Sequence, residues 1–359
     1  MIISILLPAG VAFLIAFLCM PLIRIIAFKL GLTDNPEKHA HPAVLHKKIL
    51  PRAGGLAIYL GIVTSIILFI PLEKHLIGLL IGATVIVIDG LLDDKYDLKP
   101  AYRLIFQIIA AAIVVGFGVG ITYITNPFGG IIRLDTITIP VQFFGAHNIL
   151  LLADFFAFLW IIWTINLVNW SSGVDGQMPG FIIIAAATLA LLSLPFTAYD
   201  PAQWNIIKIA GITIGATLAF LLFNWHPAKI LPGDSGSMLL GFLLAFLAIY
   251  SGGKVATAVV VLAIPTLDAA WAIIRRIKRG QNPMRGDREH LHHRLLELGL
   301  SQRTIAVTYW TLAAVCGGIA LLFQGRGKFW FLIITAGFLA FFLIAINRLQ
   351  KRKPSQTTQ

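Results

Sequence analysis

Asp93 and Asp94 stand side by side where an apolar run, Ile86-Val87-Ile88-Asp89-Gly90-Leu91-Leu92, comes to its end. Ionised groups beside hydrocarbon are costly and are retained there mainly for ion, proton or phosphate chemistry. Adjacent carboxylates can hold Mg²⁺, orient a lysine, or act as a general base when one carboxylate raises the pKa of the other. Asp97, Arg103 and Gln107 follow downstream. The plainer alternative is a solvated helix end, with both acids simply flanked by Lys95 and Lys99.

Four further strings carry residue types with chemical uses. Pro232-Gly233-Asp234-Ser235-Gly236-Ser237 places an acid between glycines just before an apolar run. Glycines let a backbone approach phosphate, and a helix start offers unpaired N–H groups to an anion. An ordinary N-cap explains one Asp or Ser but not the two glycines, so a phosphate and Mg²⁺ site is favoured. Asn166 and Asn169, one helical turn apart, precede Gly173-Val174-Asp175-Gly176 and suit hydrogen bonding to a sugar or nucleotide. A helix that ends in a glycine-rich turn is the alternative. Asp287 and His290-Leu291-His292-His293-Arg294 lie in a long basic loop, where Leu291, Leu295, Leu296 and Leu298 predict a short amphipathic helix. His290, His293 and Arg294 would share one face and meet a pyrophosphate or nucleotide. A zinc site competes but has no cysteine nearby, and a plain surface helix with three histidines is the blander reading. Pro51-Arg52-Ala53-Gly54-Gly55 opens another run, its glycine pair suited to tight helix packing. Asp268 could pair with Arg275 or Arg276.

The elements that must position these groups follow from composition. The chain has 359 residues, 58% hydrophobic and 12% charged, with 24 Phe. A bilayer core of ~30 Å needs about 20 apolar residues per helix, and about eleven such runs occur. They lie near 2–28, 53–72, 76–92, 101–121, 149–169, 179–196, 206–224, 237–250, 255–274, 304–323 and 329–347. Backbone satisfaction in lipid makes them helices. The expected fold is an all-α polytopic integral membrane protein, one domain over residues 1–359 with a basic disordered tail at 348–359. The first run lacks a basic leader and a small-residue cleavage site, and reads as the first membrane helix rather than a signal. Cys19 and Cys316 fall within apolar spans and form no metal or redox spacing.

When the spans alternate across the bilayer, only Lys74, Arg133, Lys208, Lys254, Arg326 and Lys328 fall on one face, and Arg24 sits within the first span. The rest of the 28 Lys and Arg residues fall on the other, which is therefore expected to be cytoplasmic. The N-terminus is then outside and the C-terminus cytoplasmic. The net charge of +12 is mostly this topology signal plus attraction to anionic lipid; nucleic acid is not the expected partner. Outside, Asn126-Pro127-Phe128-Gly129-Gly130 and the alternation from Ile131 to Ile139 predict a small β-hairpin. Inside lie segments 29–55, 93–103, 166–178, 225–237 and 275–303, and every string above falls in or at the edge of one of them, Asp268 apart.

In order and placement these strings resemble the polyprenyl-phosphate N-acetylhexosaminyl-1-phosphate transferases, the family that includes MraY, WecA and TagO. The resemblance covers nearly the whole chain. It rests on Pro51 to Gly55 with upstream His46, Asp93-Asp94 with Leu98, Pro100, Arg103 and Gln107, Asn166 and Asn169 with Asp175-Gly176, Gly233 to Ser237, Pro265 with Asp268, and Asp287 with His290 to Arg294. It implies transfer of a sugar 1-phosphate from a UDP-N-acetylhexosamine to a polyprenyl phosphate at the cytoplasmic face of the plasma (inner) membrane, releasing UMP. The His-Leu-His-His-Arg form is similar to the WecA and TagO branch, which favours UDP-N-acetylglucosamine and undecaprenyl phosphate. By the same resemblance Asp234 and Asp94 would bind Mg²⁺, with Mn²⁺ able to substitute, and Asp93, Asp94 and Asp234 would be catalytic. His46, Arg52, Arg103, Asn166, Asn169, Asp175, His290, His292, His293 and Arg294 would bind substrate, and the protein would be a homodimer. The family usually carries Asp-Gly-x-Asp-Gly after the paired amides, whereas Ser172 stands here in place of the first acid. That change bears on donor identity and metal affinity.

Without the name, the physical logic is that a lipid phosphate arriving laterally and a nucleotide sugar arriving from water must meet at the membrane surface. Both are anionic, so attack of one on the other needs charge neutralised by Mg²⁺ and by Arg, Lys or His⁺. A rival reading is an ion-coupled transporter of an anionic solute that uses Asp234 and Asp268 at broken helices, which would place binding groups near the midplane. An inactive scaffold for envelope assembly is a third reading.

Overall fold

The computed structural model describes residues 2–35, 48–126, 128–142, 146–252, 254–281, 290–323 and 325–352. His46 and Asp287, both named above, lie outside the described residues.

The chain enters on α1 (Ile3–Leu30), which closes on Gly31 in the left-handed region, φ 72°, with the Gly31 N–H returned to the carbonyls of Ala27 and Phe28. A two-residue ribbon, β1 (Thr33–Asp34) against β2 (Leu50–Pro51), leads to α2 (Gly54–Phe69). Next come α3 (Lys74–Tyr96) and α4 (Pro100–Gly116), with Pro100 at a position that needs no donor. Two antiparallel ribbons follow: β3 (Tyr123–Thr125) with β4 (Ile131–Arg133), and β5 (Thr138–Gln142) with β6 (Ala146–Leu150). The alternation from Ile131 to Ile139 is thus divided between two ribbons instead of forming one. The remaining helices are α5 (Leu151–Trp170), α6 (Gln177–Ser193), α7 (Gln203–Asn224), α8 (Gly233–Tyr250), α9 (Val255–Val261), α10 (Ala263–Lys278), α11 (Leu291–Glu297), α12 (Gln302–Leu322) and α13 (Arg326–Arg352).

Among the described residues eight helices are long and apolar enough to cross a bilayer, and a ninth span results if α9 and α10 count as one. That is fewer than eleven by length and composition, because α2 and α4, of 16 and 17 residues, are short of the roughly 20 that a full crossing needs. The ninth apolar run is broken: α9 and α10 meet at 81° around Leu262. Pro265 has no N–H for the Val261 carbonyl, which interrupts the helical ladder at that point. At the other terminus, α13 continues to Arg352, five residues into the stretch expected to be a disordered tail.

α8 is the axis of the bundle. After Asp234 it carries no charge and is apolar all round, the pattern of a helix with no solvent or lipid face. It packs on α3, α5 and α2 and touches α6, α7 and α9. At its start three elements crowd together. A Cβ on Gly55 would strike the backbone of Ser235 and Gly236, and one on Gly90 would strike the backbone of Ser235. Glycine at those two positions is what lets α2 and α3 close on the first turn of α8. The loop before α2 is laced to the same turn, with the N–H groups of Gly54 and Gly55 donating to Leu231 and Pro232, both at 3.0 Å.

Candidate active site

The last turn of α3, the first turn of α8, the last turn of α5 and the first turn of α4 meet at one end of the bundle. Asp94 ties two of them together. Its carboxylate accepts from the backbone N–H of Asp234 (2.8 Å) and of Ser235 (3.3 Å) and from the Ser235 hydroxyl (3.1 Å). Arg52 Nε lies 3.4 Å away, and the Asp94 side chain is 0% exposed. The open N–H groups of a helix start, anticipated as a phosphate cradle, are thus taken by the protein's own carboxylate. Gly233, at φ 67°, has the same cause: a Cβ there would collide with the Asp94 carboxylate and the Arg52 carbonyl. Asp94, expected to bind Mg²⁺, is sealed and engaged at both oxygens.

Asp93 and Asp234 face a different partner. Arg103 Nη1 lies 3.1 Å from Asp234 and 3.5 Å from Asp93, so two carboxylates from separate helices converge on one guanidinium. Arg103 Nη2 also donates to Asn169 Oδ1 (3.2 Å), whose amide donates to Asp234 (2.8 Å) and to Ser237 Oγ (2.9 Å). Asp93 further accepts from the Leu98 N–H at 2.9 Å, which folds the loop between α3 and α4 back onto the site. Asp234 and Arg103 keep 14% and 21% of their side chains exposed, against 3% for Asp93. One turn deeper on α3, Asp89 is 0% exposed, and neither oxygen has a hydrogen-bond partner.

Asn166 sits one turn from Asn169 but serves packing: its amide donates to Gln107 Oε1 (2.6 Å) and to the Ile162 carbonyl (2.9 Å). Asp175 turns to the loop after α7, where it meets His226 Nδ1 (2.8 Å) and accepts from the Ala228 N–H (3.0 Å). Arg303, from the start of α12, holds the His226 carbonyl with two N–H groups at 3.0 and 2.9 Å. His226 was not singled out from sequence, although it lies in one of the polar segments, beside Trp225 and Pro227.

The histidine string is buried, contrary to a solvent-facing helix. His290, His292, His293 and Arg294 are 7%, 2%, 7% and 3% exposed. His290 precedes α11 and pairs through Nδ1 with Asp268 (2.9 Å), which also accepts from the Leu291 N–H (2.9 Å). The rings of His290 and His292 stack at 5.9 Å, and those of His292 and His293 lie 4.3 Å apart. Burial, and then the neighbouring His293 and His290, hold His292 well below the ordinary histidine pKa, so it stays neutral. His292 rests on Gly173, where any Cβ would strike its ring. Ser172 donates to the Asn169 carbonyl at 2.7 Å. The segment from Asn169 to Asp175 therefore bridges the acidic cluster and the histidine cluster. Among the described residues no three His, Cys, Asp or Glu side chains form a metal cage of their own, whether for zinc or for Mg²⁺.

Of the residues anticipated from sequence, one network gathers Arg52, Asp93, Asp94, Arg103, Asn169 and Asp234. A second holds His290, with Asp268, and His292, and the tilted ring of His293 lies against His292. Asp175 pairs with His226 on the loop after α7.

Comparison with known proteins fits this arrangement. The family model described as glycosyl transferase family 4 matches residues 76–252, from α3 to the end of α8. A probable undecaprenyl-phosphate N-acetylglucosaminyl 1-phosphate transferase of Bacillus subtilis is 32% identical over 312 residues, covering 83% of this chain and 80% of that protein. A decaprenyl-phosphate N-acetylglucosaminephosphotransferase of Mycolicibacterium smegmatis is 28% identical over 355 residues, 88% of this chain and 82% of the relative. An undecaprenyl-phosphate alpha-N-acetylglucosaminyl 1-phosphate transferase of Escherichia coli is 26% identical over 321 residues, 86% and 81% of the two chains. With a relative at 32% identity aligned over four fifths of both chains, the chain belongs to the polyprenyl-phosphate N-acetylhexosaminyl-1-phosphate transferase family.

Proposed function

We propose that the protein transfers N-acetylglucosamine 1-phosphate from its UDP-linked form to undecaprenyl phosphate, releasing UMP and starting the assembly of a cell-envelope polysaccharide. The observation that carries this reading is the convergence of Asp93, Asp234 and Asn169 on Arg103 at a helix end. A transporter would need its binding groups near mid-membrane; of this network only Asp89 lies even one turn deeper. The excess of Lys and Arg at that end supports a cytoplasmic site in the plasma membrane. A homodimer belongs to the same proposal and rests on the family resemblance.

The residues present fit a divalent cation. Asp89, Asp93, Asp94 and Asp234 carry four formal negative charges against two from Arg52 and Arg103, a deficit of two. The buried oxygens of Asp89 have no hydrogen-bond partner. Mg²⁺ is usually held by one or two carboxylates together with water and substrate phosphates, and Asp234 and Asp93 are the two acids free of the α8 cap. When bound, Mg²⁺ would neutralise charge on the phosphates. Arg103 supplies the fixed positive charge on the protein side, and Asn169 holds Asp234 in place. In the reaction an oxygen of the acceptor phosphate attacks the β-phosphorus of the donor. The bond from that phosphorus to the bridging oxygen breaks, and UMP leaves with the electron pair. Asp93, just behind Arg103 and Asp234, would take the proton of a monoprotonated acceptor. A covalent intermediate on Asp94 is disfavoured because that carboxylate is already bonded on both oxygens.

The test is UMP release by the purified full-length protein with Mg²⁺, undecaprenyl phosphate and a panel of UDP-sugars. Turnover is expected with UDP-N-acetylglucosamine and to depend on the lipid phosphate. UMP release with no lipid dependence, or none with any amino sugar, overturns the reading.

A further inference from the structure

At the far end of α8 from the acidic cluster lies a cavity of about 910 Å³. Helix α8 has 18 residues, so the two ends are about 27 Å apart. The cavity is walled by the β3–β4 ribbon, the loop before α7, the turn between α8 and α9, and the start of α13. Three cations line it, and each rests on neutral groups. Lys254 Nζ donates to Ser193 Oγ and Gln203 Oε1, both at 3.0 Å, and sits 4.6 Å above the Phe196 ring. Lys328 Nζ donates to Thr257 Oγ1 (2.6 Å), and Arg326 Nη2 donates to the Phe128 carbonyl (2.6 Å). Among the described residues no carboxylate lies within 4.0 Å of any of the three. The acid in the lining, Asp200, is exposed at the rim and accepts from the Gln203 amide (2.9 Å). Ser193, Gln203 and Thr257 are buried, so the acceptors that fix the two lysines are built into the bundle.

Apart from polar groups of the β3–β4 ribbon and the turn after α8, the lining carries the apolar side chains of Leu192, Phe196, Phe329 and Leu332. Helix α13, which supplies two of these, is the least buried of the candidate spans, so this wall borders lipid. A polar half with surplus positive charge beside an apolar half open to the bilayer matches an amphiphile with an anionic head. Basic pockets between membrane helices on the cytoplasmic side take lipid headgroups by the same chemistry, and this one lies at the opposite face. We propose that this cavity is a binding site for the phosphate headgroup of an anionic lipid, with Lys254, Lys328 and Arg326 as the recognising cations. The chemistry shared with any soluble source is the phosphate anion; the apolar wall selects the lipid. The site is separate from the transfer reaction and does not depend on that assignment.

The experiment measures thermal unfolding of the full-length protein in a neutral detergent with dihexanoyl phosphatidylglycerol, dihexanoyl phosphatidylcholine or inorganic phosphate. Phosphatidylglycerol is expected to raise the midpoint by about 2–4 °C near saturation, and the other two by much less. Lys254→Met with Lys328→Met should abolish the shift. Should that double variant fail to fold, Arg326→Gln, at an exposed position, should reduce the shift, and Lys328→Arg should retain it. Equal shifts with phosphatidylcholine, or a full shift in the double variant and in Arg326→Gln, overturn the proposal. Equal stabilisation by inorganic phosphate overturns the lipid assignment.

Discussion

At the Gly233 end of α8, carboxylates and guanidiniums from three helices and the loop before α2 face one another, whereas at the Tyr250 end three cations rest on hydroxyl, amide and carbonyl oxygens. Both arrangements hold charge beside hydrocarbon, where an isolated ion is costly. The first keeps a fixed geometry through partners that are themselves fixed, as preorganised phosphoryl chemistry needs, and carries more acids than guanidiniums, with Asp89 unpartnered. The second sets three cations against the single lining carboxylate of Asp200, a surplus that suits an anion from outside. A site built for turnover and a site built for occupancy can thus share one helix.

The contrast breaks first at Asp234. Asp234→Asn keeps the shape and the Asn169 contact but removes the charge that faces Arg103, and the UMP-release rate is expected to fall by about 10²–10³-fold, with the thermal midpoint little changed. A rate within a factor of a few of wild type would remove Asp234 from the chemistry. Next in size is Asp94. Because its carboxylate caps α8 and faces Arg52 in a buried setting, Asp94→Ala should lower stability by about 3–5 kcal/mol and activity with it. Denaturation in detergent separates the two acids: Asp94 should move the midpoint strongly, and Asp234 should not.

Smaller effects sharpen the comparison. An aspartate at Ser172 cannot donate to the Asn169 carbonyl, and it brings a negative charge beside His292 and Gly173. Ser172→Asp should change KM for the UDP-sugar severalfold while costing about 1 kcal/mol of stability; a change in kcat alone would contradict a role toward the donor. At the other end the effect is one of pH. Burial, opposed by Asp200 and reinforced by Lys328, holds the Lys254 ammonium down at about 8 from its ordinary 10.5. Its charge is present below pH 8 and lost as pH rises through that value. The phosphodiester of phosphatidylglycerol stays singly charged throughout, so its stabilising shift should shrink between about pH 7 and pH 9. In the absence of lipid the sign reverses, because the cost of burying the ammonium fades as pH climbs from 8 toward 10.5.

Much of this was legible in the chain before folding. The apolar runs map onto helices because their lengths leave no other way to satisfy the backbone in lipid, and Asp93, Arg103, Asn169 and Asp234 were visible as polar groups with no use inside such runs. What sequence could not supply was direction. Asp93 and Asp94 are neighbours on a helix and so point about 100° apart, which sends one to Arg103 and the other under α8. The glycines of the 233–237 string suggested room for phosphate, but the space at Gly233 and Gly236 is filled by the Asp94 carboxylate and by α2. The histidines seemed destined for water by their polarity, yet Asp268, a distant residue on a bent helix, draws His290 inward.

The central claim is that the groups gathered around Arg103 act as one unit. A kinetic double-mutant cycle with Arg103→Lys and Asn169→Ser, which touch at 3.2 Å, tests it most directly through kcat/KM for UMP release. Each single change is expected to cost about 10–100-fold, and the double variant little more than the worse of the two. Losses that simply multiply would show two independent residues and contradict the account.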